Sequence, residues 1–221
     1  RELRLTRESK QNLAAIAEKM HRLCEKEPSN LQALLEYGNI LGELGFWDEA
    51  EDWLRRVLTQ YPEAQRARTI LAHCAMKRGD FSKAQTLLSE CSLLAPHNCE
   101  RLVAMGQVLM NLDRIKDALP YFKAALKIDP GHREAKFGKA SAHLLMGHAQ
   151  EALKIVGQLG QREEIARLFN VSAIISVKHS RFKEALELYK SALVQLGDDQ
   201  QALAKIFFNM GLGLWKWGKW T

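Results

Sequence analysis

One interval governs this chain. Ala50, Ala84, Ala118 and Ala152 follow one another at steps of 34 residues, and Ala185 comes 33 after Ala152. Pro62, Pro96 and Pro130 keep the same 34-residue step. Three residues before each alanine stands Trp47, Phe81, Ile115, Ala149 or Phe182; two before that stands Gly45, Gly79, Asp113, Gly147 or Ser180. Within each interval the apolar residues fall at helical spacing in two runs, as in Leu102 to Met110 and Ile115 to Ile128 around the polar break Asn111 to Arg114. The proline that follows ends the second run, because the residue before a proline is pushed out of the helical region. The unit is an antiparallel helix pair. One pair cannot bury its own apolar surface, so copies must stack beside it.

Stacking makes demands on particular residues. Glycine inside a helix costs about 1 kcal/mol relative to alanine. Gly38, Gly106 and Gly211, which share one repeat position, therefore need a packing reason: a side chain there would push neighbouring helices apart. The repeated alanines carry the same requirement, and a large replacement at any of them should cost roughly 1–3 kcal/mol by overpacking. A 34-residue helix-turn-helix period with this pattern resembles the tetratricopeptide repeat family, over nearly the whole chain. The resemblance implies an all-α, right-handed solenoid of antiparallel helix hairpins, and it specifies fold far more closely than function.

In that register the chain is one array over 1–221. An opening helix or half-repeat occupies 1–28, and repeats occupy 31–62, 65–96, 99–130, 133–160 and 166–197. The first helix of a truncated sixth repeat occupies 204–221. The fourth repeat is irregular: in its second helix, Ala149 to Leu159, Gly157 and Gly160 replace the usual apolar pair and no proline closes it. Further on, Gly218 follows Ser180 by 38 residues, which puts Gly218 at the turn and Trp220 in the aromatic slot of the last repeat. A repeat cut there is expected to expose an apolar face and to self-associate. The opening residue, Arg1, and the mid-repeat end both suggest a longer parent protein.

Bulk composition excludes several classes. No apolar run approaches the length of a membrane span. The net charge of +6 comes from basic and acidic residues mixed along the chain, which suits a solvated helical surface better than a nucleic-acid tract. Cys24, Cys74, Cys91 and Cys99 show no paired or metal-ligand spacing. They read as small buried thiols in a reducing, cytoplasmic setting. His143 and His148 flank a turn glycine and do not share a helix face, and Glu163-Glu164 reads as a helix start. No catalytic constellation, cofactor loop or metal set is found, so neither enzyme activity nor a cofactor is expected.

The resemblance implies that the first helix of each pair lines a concave groove. By register its inward positions are Leu35 and Asn39, then Arg66, Thr69, His73, Met76 and Lys77, then Val103, Gln107 and Met110. They continue with Phe137, Ser141 and Leu144, then Arg167, Asn170, Ile174 and Lys178, and finally Lys205, Phe208, Leu212 and Trp215. Mixed apolar and basic positions suit a protein or peptide segment with apolar anchors and some acidic residues. A competing role for Phe137, Leu144 and Ile174 is internal packing. Chaperone-tail receptors of the family carry a lysine, asparagine and arginine clamp; here Asn39 matches, but Leu35, Ile70, Glu100 and Ala104 replace other members, and a carboxylate terminus finds no bidentate donor. The expected function is that of a non-enzymatic scaffold or adaptor. The alternative is a spacer or regulatory module in a larger signalling protein, since the stretch from Leu168 to Trp220 also resembles repeat tails beside receiver domains in bacterial response regulators.

Overall fold

The computed structural model describes residues 7–94, 98–157, 162–196 and 199–218, and among these the chain is helical with no strand. The helices are α1 (Arg7–Lys26), α2 (Leu31–Leu44), α3 (Trp47–Gln60), α4 (Gln65–Arg78), α5 (Phe81–Leu94) and α6 (Cys99–Asn111). They continue as α7 (Ile115–Ile128), α8 (Arg133–Leu145), α9 (Ala149–Gly157), α10 (Arg162–Lys178), α11 (Phe182–Leu196) and α12 (Gln200–Trp217). The expected positions of Pro96 and Trp220, and the segment 158–161 within the irregular repeat, lie outside the described residues.

The periodic glycine-or-polar position proves to be the hinge of each hairpin. Gly45, Gly79, Gly147 and Gly218 take φ of +91°, +84°, +83° and +72°, and Asp113 and Ser180 take +61° and +59°. The next residue's N–H then reaches back to the carbonyl five positions earlier: Phe46 to Leu41 at 3.0 Å, Asp80 to Ala75 at 2.9 Å, Arg114 to Leu109 at 2.9 Å, His148 to His143 at 2.9 Å and Arg181 to Ser176 at 2.8 Å. This bond satisfies a terminal carbonyl and turns the chain sharply. Side chains cap several starts. Asn30 Oδ1 accepts from Ala33 N, Asn98 Oδ1 from Arg101 N, and His132 Nδ1 from Ala135 N.

The chain divides into two compact units, Arg1–Pro96 and His97–Thr221. In the first, α1 to α5 bury Leu34, Leu54, Leu71 and Cys74 together. A Cβ on Gly38 would stand 2.6 Å from Leu54 Cδ2, which is the packing reason the sequence demanded. Cys24, Cys74 and Cys91 are buried and Cys99 is half-buried, and all four are free thiols.

In the second unit the same contact recurs with a larger partner. Phe122 of α7 is fully buried, and its ring fills the space left by Gly106 of α6 and Gly138 of α8. The reason expected for Gly211 is absent: a Cβ there meets nothing within 4 Å among the described residues. Leu54 and Phe122 each stand sixteen residues after their glycine. The tight position of α12 is Gly213 instead, where a Cβ would lie 2.9 Å from Val177 Cγ2. In the irregular fourth repeat the second helix is described over Ala149–Gly157, as α9. Beyond it α10 packs on α8 and α9 and reaches α6, where Lys178 Nζ donates to Asn111 Oδ1 at 3.1 Å and Arg181 pairs with Asp113 at 2.8 Å.

Candidate functional site

The inward register positions divide into buried and accessible. Leu35 lies in the core of the first unit, and Val103, Met110, Phe137 and Ser141 are buried as well. For Phe137 the cover is identifiable. It packs with Leu168 of α10 and with Ala140, Ala152 and Val156, while Leu144 is half-buried against the same cluster. The Arg167 guanidinium lies over the Phe137 ring at 4.6 Å. Helix α10 therefore occupies the surface that α8 would otherwise present.

Accessible positions in the first unit are polar apart from Met76. Asn39, Thr69 and Met76 are half-buried and Arg66, His73 and Lys77 exposed. Arg66 donates to Gln32 Oε1 at 3.3 Å and to Glu36 Oε2 at 3.2 Å, so α2 and α4 present paired charges and no large exposed hydrophobe.

In the second unit Gln107 is half-buried, and the remaining accessible positions gather on α10 and α12. Ile174 of α10 is 42% exposed; Phe208, Leu212 and Trp215 of α12 are 64%, 45% and 60% exposed. Half of the exposed large hydrophobes among the described residues are on these two helices, Phe207 being the fifth. Asn209 Nδ2 donates to Asn170 Oδ1 at 3.1 Å and ties the helices together at the level of Phe208. Basic residues flank the apolar row: Arg167 and Lys178 on α10, Lys205 and Lys216 on α12. Burial, and then the positive charge of Lys216, push the Lys178 ammonium below its usual range. Lys216 was not among the register positions, although it stands where Lys77 and Lys178 stand in their repeats; extending that column by one repeat would have found it.

Little else offers chemistry. The turn at Gly147 brings the His143 and His148 rings to 5.8 Å although they do not share a helix face. Burial, Lys139, His148 and Lys123 together depress the His143 imidazole against a smaller opposing effect of Glu151. Among the described residues no group of three or more histidines, cysteines or carboxylates could hold a metal ion. No described helix is long and apolar enough to cross a membrane. Burial in the core between α10, α11 and α12 pushes the Tyr189 phenol up to about 12.

Comparison with known proteins bears on the fold throughout. The sequence profile described as tetratricopeptide repeat matches residues 10–64, 47–106 and 109–164. The human DnaJ homolog subfamily C member 7 is 25% identical over 193 residues, covering 85% of this chain and 34% of that protein. The Caenorhabditis briggsae protein adenylyltransferase fic-1 is 31% identical over 130 residues, 53% of this chain and 25% of that protein. Thus the chain spans at most about a third of the curated relatives named here. Among solved structures, YrrB, described as a TPR protein with an unusual peptide-binding site, superposes with a TM-score of 0.61 at 20% identity, covering 86% of this chain and 98% of that one. MamA superposes with a TM-score of 0.57 at 17% identity, covering 83% and 92%. At these identities the likeness is one of fold.

Proposed function

Because the chain belongs to the tetratricopeptide repeat family, we propose that it is a non-enzymatic interaction module whose α10–α12 face holds a partner segment with apolar anchors and acidic residues. One observation carries the reading: Ile174 on α10 and Phe208, Leu212 and Trp215 on α12 are exposed on two helices that pack together and are joined through Asn170 and Asn209, with basic residues near both ends. An apolar patch rimmed by charge marks an interaction surface in a folded protein. In the first unit the accessible register positions, Asn39, Arg66, Thr69, His73, Met76 and Lys77, offer hydrogen-bonding and charged groups with no large exposed anchor. A peptide-binding site in YrrB supports the use of this fold for such a task. The four free thiols support a reducing, cytoplasmic setting.

The test is a lysate pull-down with three baits of equal helicity: the native chain, Phe208→Glu/Leu212→Glu, and Arg66→Glu. A protein held by the native chain and by Arg66→Glu, but lost with the double variant, is the expected result. A partner that follows Arg66→Glu instead would move recognition to the polar face. Capture indifferent to both changes would remove the proposal.

A further inference from the structure

Resting on that reading, we infer that the segment held on α10 and α12 is an amphipathic α-helix with acidic residues at both ends of its apolar stripe. Spacing is the first argument. Phe208, Leu212 and Trp215 stand at i, i+4 and i+7, a ridge about 10 Å long at 1.5 Å per residue. A second helix with the same spacing packs beside such a ridge, with Ile174 of α10 as its other wall.

Backbone chemistry is the second. An extended peptide arrives with N–H and C=O groups that must be paired, whereas a helix brings its own pairs. Along the apolar row the side-chain amides are those of Asn170 and Asn209, and the bond between them already uses Asn209 Nδ2 and Asn170 Oδ1. Between the two ends of the row an extended main chain would find at most this one remaining donor and acceptor pair, too few for the groups it brings.

Charge placement is the third. Lys205 precedes Phe208 by three residues and Lys216 follows Trp215 by one. They are eleven residues apart, close to three turns, so they lie on one side of α12 about 16 Å apart. Arg167 and Lys178 repeat the eleven-residue spacing on α10. Arg167 already engages Glu164 at 3.5 Å, but no carboxylate pairs with Lys205 or Lys216 among the described residues. The proximity of Lys216 to Lys178 is repulsive, and a carboxylate arriving at that end relieves it. A partner helix with acidic residues eleven apart meets a cation at each end of the row.

The experiment uses the full chain and a labelled synthetic helix of about five turns (~18 residues), with leucines at i, i+4 and i+7 between glutamates eleven apart. Three probes accompany it: a twin with proline at its centre, a twin with lysines for the glutamates, and vesicles of equal phosphatidylcholine and phosphatidylglycerol. The glutamate helix should bind the native chain, and the proline twin should bind about tenfold or more weakly, since proline removes a helix bond and clashes with the preceding turn. The exposed charge reversal Lys205→Glu/Lys216→Glu should transfer preference to the lysine twin. Equal binding of the proline twin would overturn the helical occupant while leaving the proposed face intact. Binding without charge preference would overturn the acidic ends. Vesicle binding with no helix binding would assign the face to a membrane instead. If the glutamate helix fails while the lysate partner still depends on Phe208 and Leu212, only this inference is lost; if both fail, the face itself is.

Discussion

Phe122 shows how one side chain dictates its neighbours. Leu54 and Leu88 hold the same repeat position with smaller, aliphatic side chains, and Ile70 and Ala104 stand where α8 has Gly138. With a phenylalanine in the slot, a Cβ on Gly138 would lie 2.5 Å from ring atom Cζ. Gly138→Ala gains about 1 kcal/mol of helix propensity, but pressing on a fully buried ring costs about 1–3 kcal/mol. The clash wins, so denaturant unfolding should show a net loss of stability. In a Phe122→Leu background the same change should cost less by about 1 kcal/mol; strict additivity would mean Gly138 is needed for something other than the ring. Gly106 was legible in the sequence because it shares a column with Gly38. Gly138 was not, since its column is otherwise filled by ordinary residues and only the size of Phe122 makes it obligatory. His143 carries a different prediction. Its imidazole is depressed in the folded chain, so the folded form prefers it neutral and the unfolded chain binds the proton more readily. Its contribution is complete above the ordinary histidine value and is lost as pH falls through the lowered one. Thermal melts of His143→Gln should therefore fall less steeply from pH 7 to pH 5 than those of the native chain; parallel curves would exclude the residue as a source of acid sensitivity.

Helices and turns were the most legible level, and the reason is local. The hinge column needs a left-handed residue, glycine supplies it without strain, and a 34-residue recurrence exposes the column in the sequence. Asp113 and Ser180 are the two departures, and both sit at the place where α10 meets α6. Asp113 accepts its left-handed backbone and in return pairs with Arg181; the pair is partly exposed and worth under about 1 kcal/mol. Asp113→Gly should thus be nearly neutral, because relief at φ +61° offsets the lost pair, whereas Asp113→Ala loses the pair and keeps the strain. A gap of about 1 kcal/mol between the two variants in chemical denaturation is expected, and equal losses would show that the backbone is unstrained. What could not be read was how α10 packs beyond the irregular repeat. Register gives the direction in which Phe137 and Leu144 face, but not that Leu168 and Arg167 of the next repeat come to cover them. The candidate site contracted to α10 and α12 for that reason.

Over the whole molecule the charge of +6 is a weak guide taken alone, because cations and carboxylates alternate along the chain. Folding sorts them. In the first unit Arg66 meets Glu36, and Lys83, Arg55 and Arg78 gather on Glu51, whose carboxyl is held below its usual range chiefly by the Lys83 bond. Around the apolar row of the second unit Lys205 and Lys216 have no carboxylate partner among the described residues, and Lys178 lies near Lys216. Two cations without a carboxylate partner at the ends of the apolar row should draw an acidic partner toward that face before contact, and this makes the rate of association the sensitive quantity. Raising ionic strength from ~0.01 M to ~1 M shortens the screening length from about 30 Å to about 3 Å. Stopped-flow association of the glutamate helix with the native chain should therefore slow by about tenfold or more over that range. Dissociation should change far less, since the apolar contacts of Phe208, Leu212 and Trp215 are not screened. In the Lys205→Glu/Lys216→Glu chain most of the salt dependence should vanish with the two cations that face the probe, although the rest of the surface is unchanged. Should the reversed chain keep the native salt slope, the steering would belong to the molecule's overall charge, and the two ends of the row would have no special part in recognition.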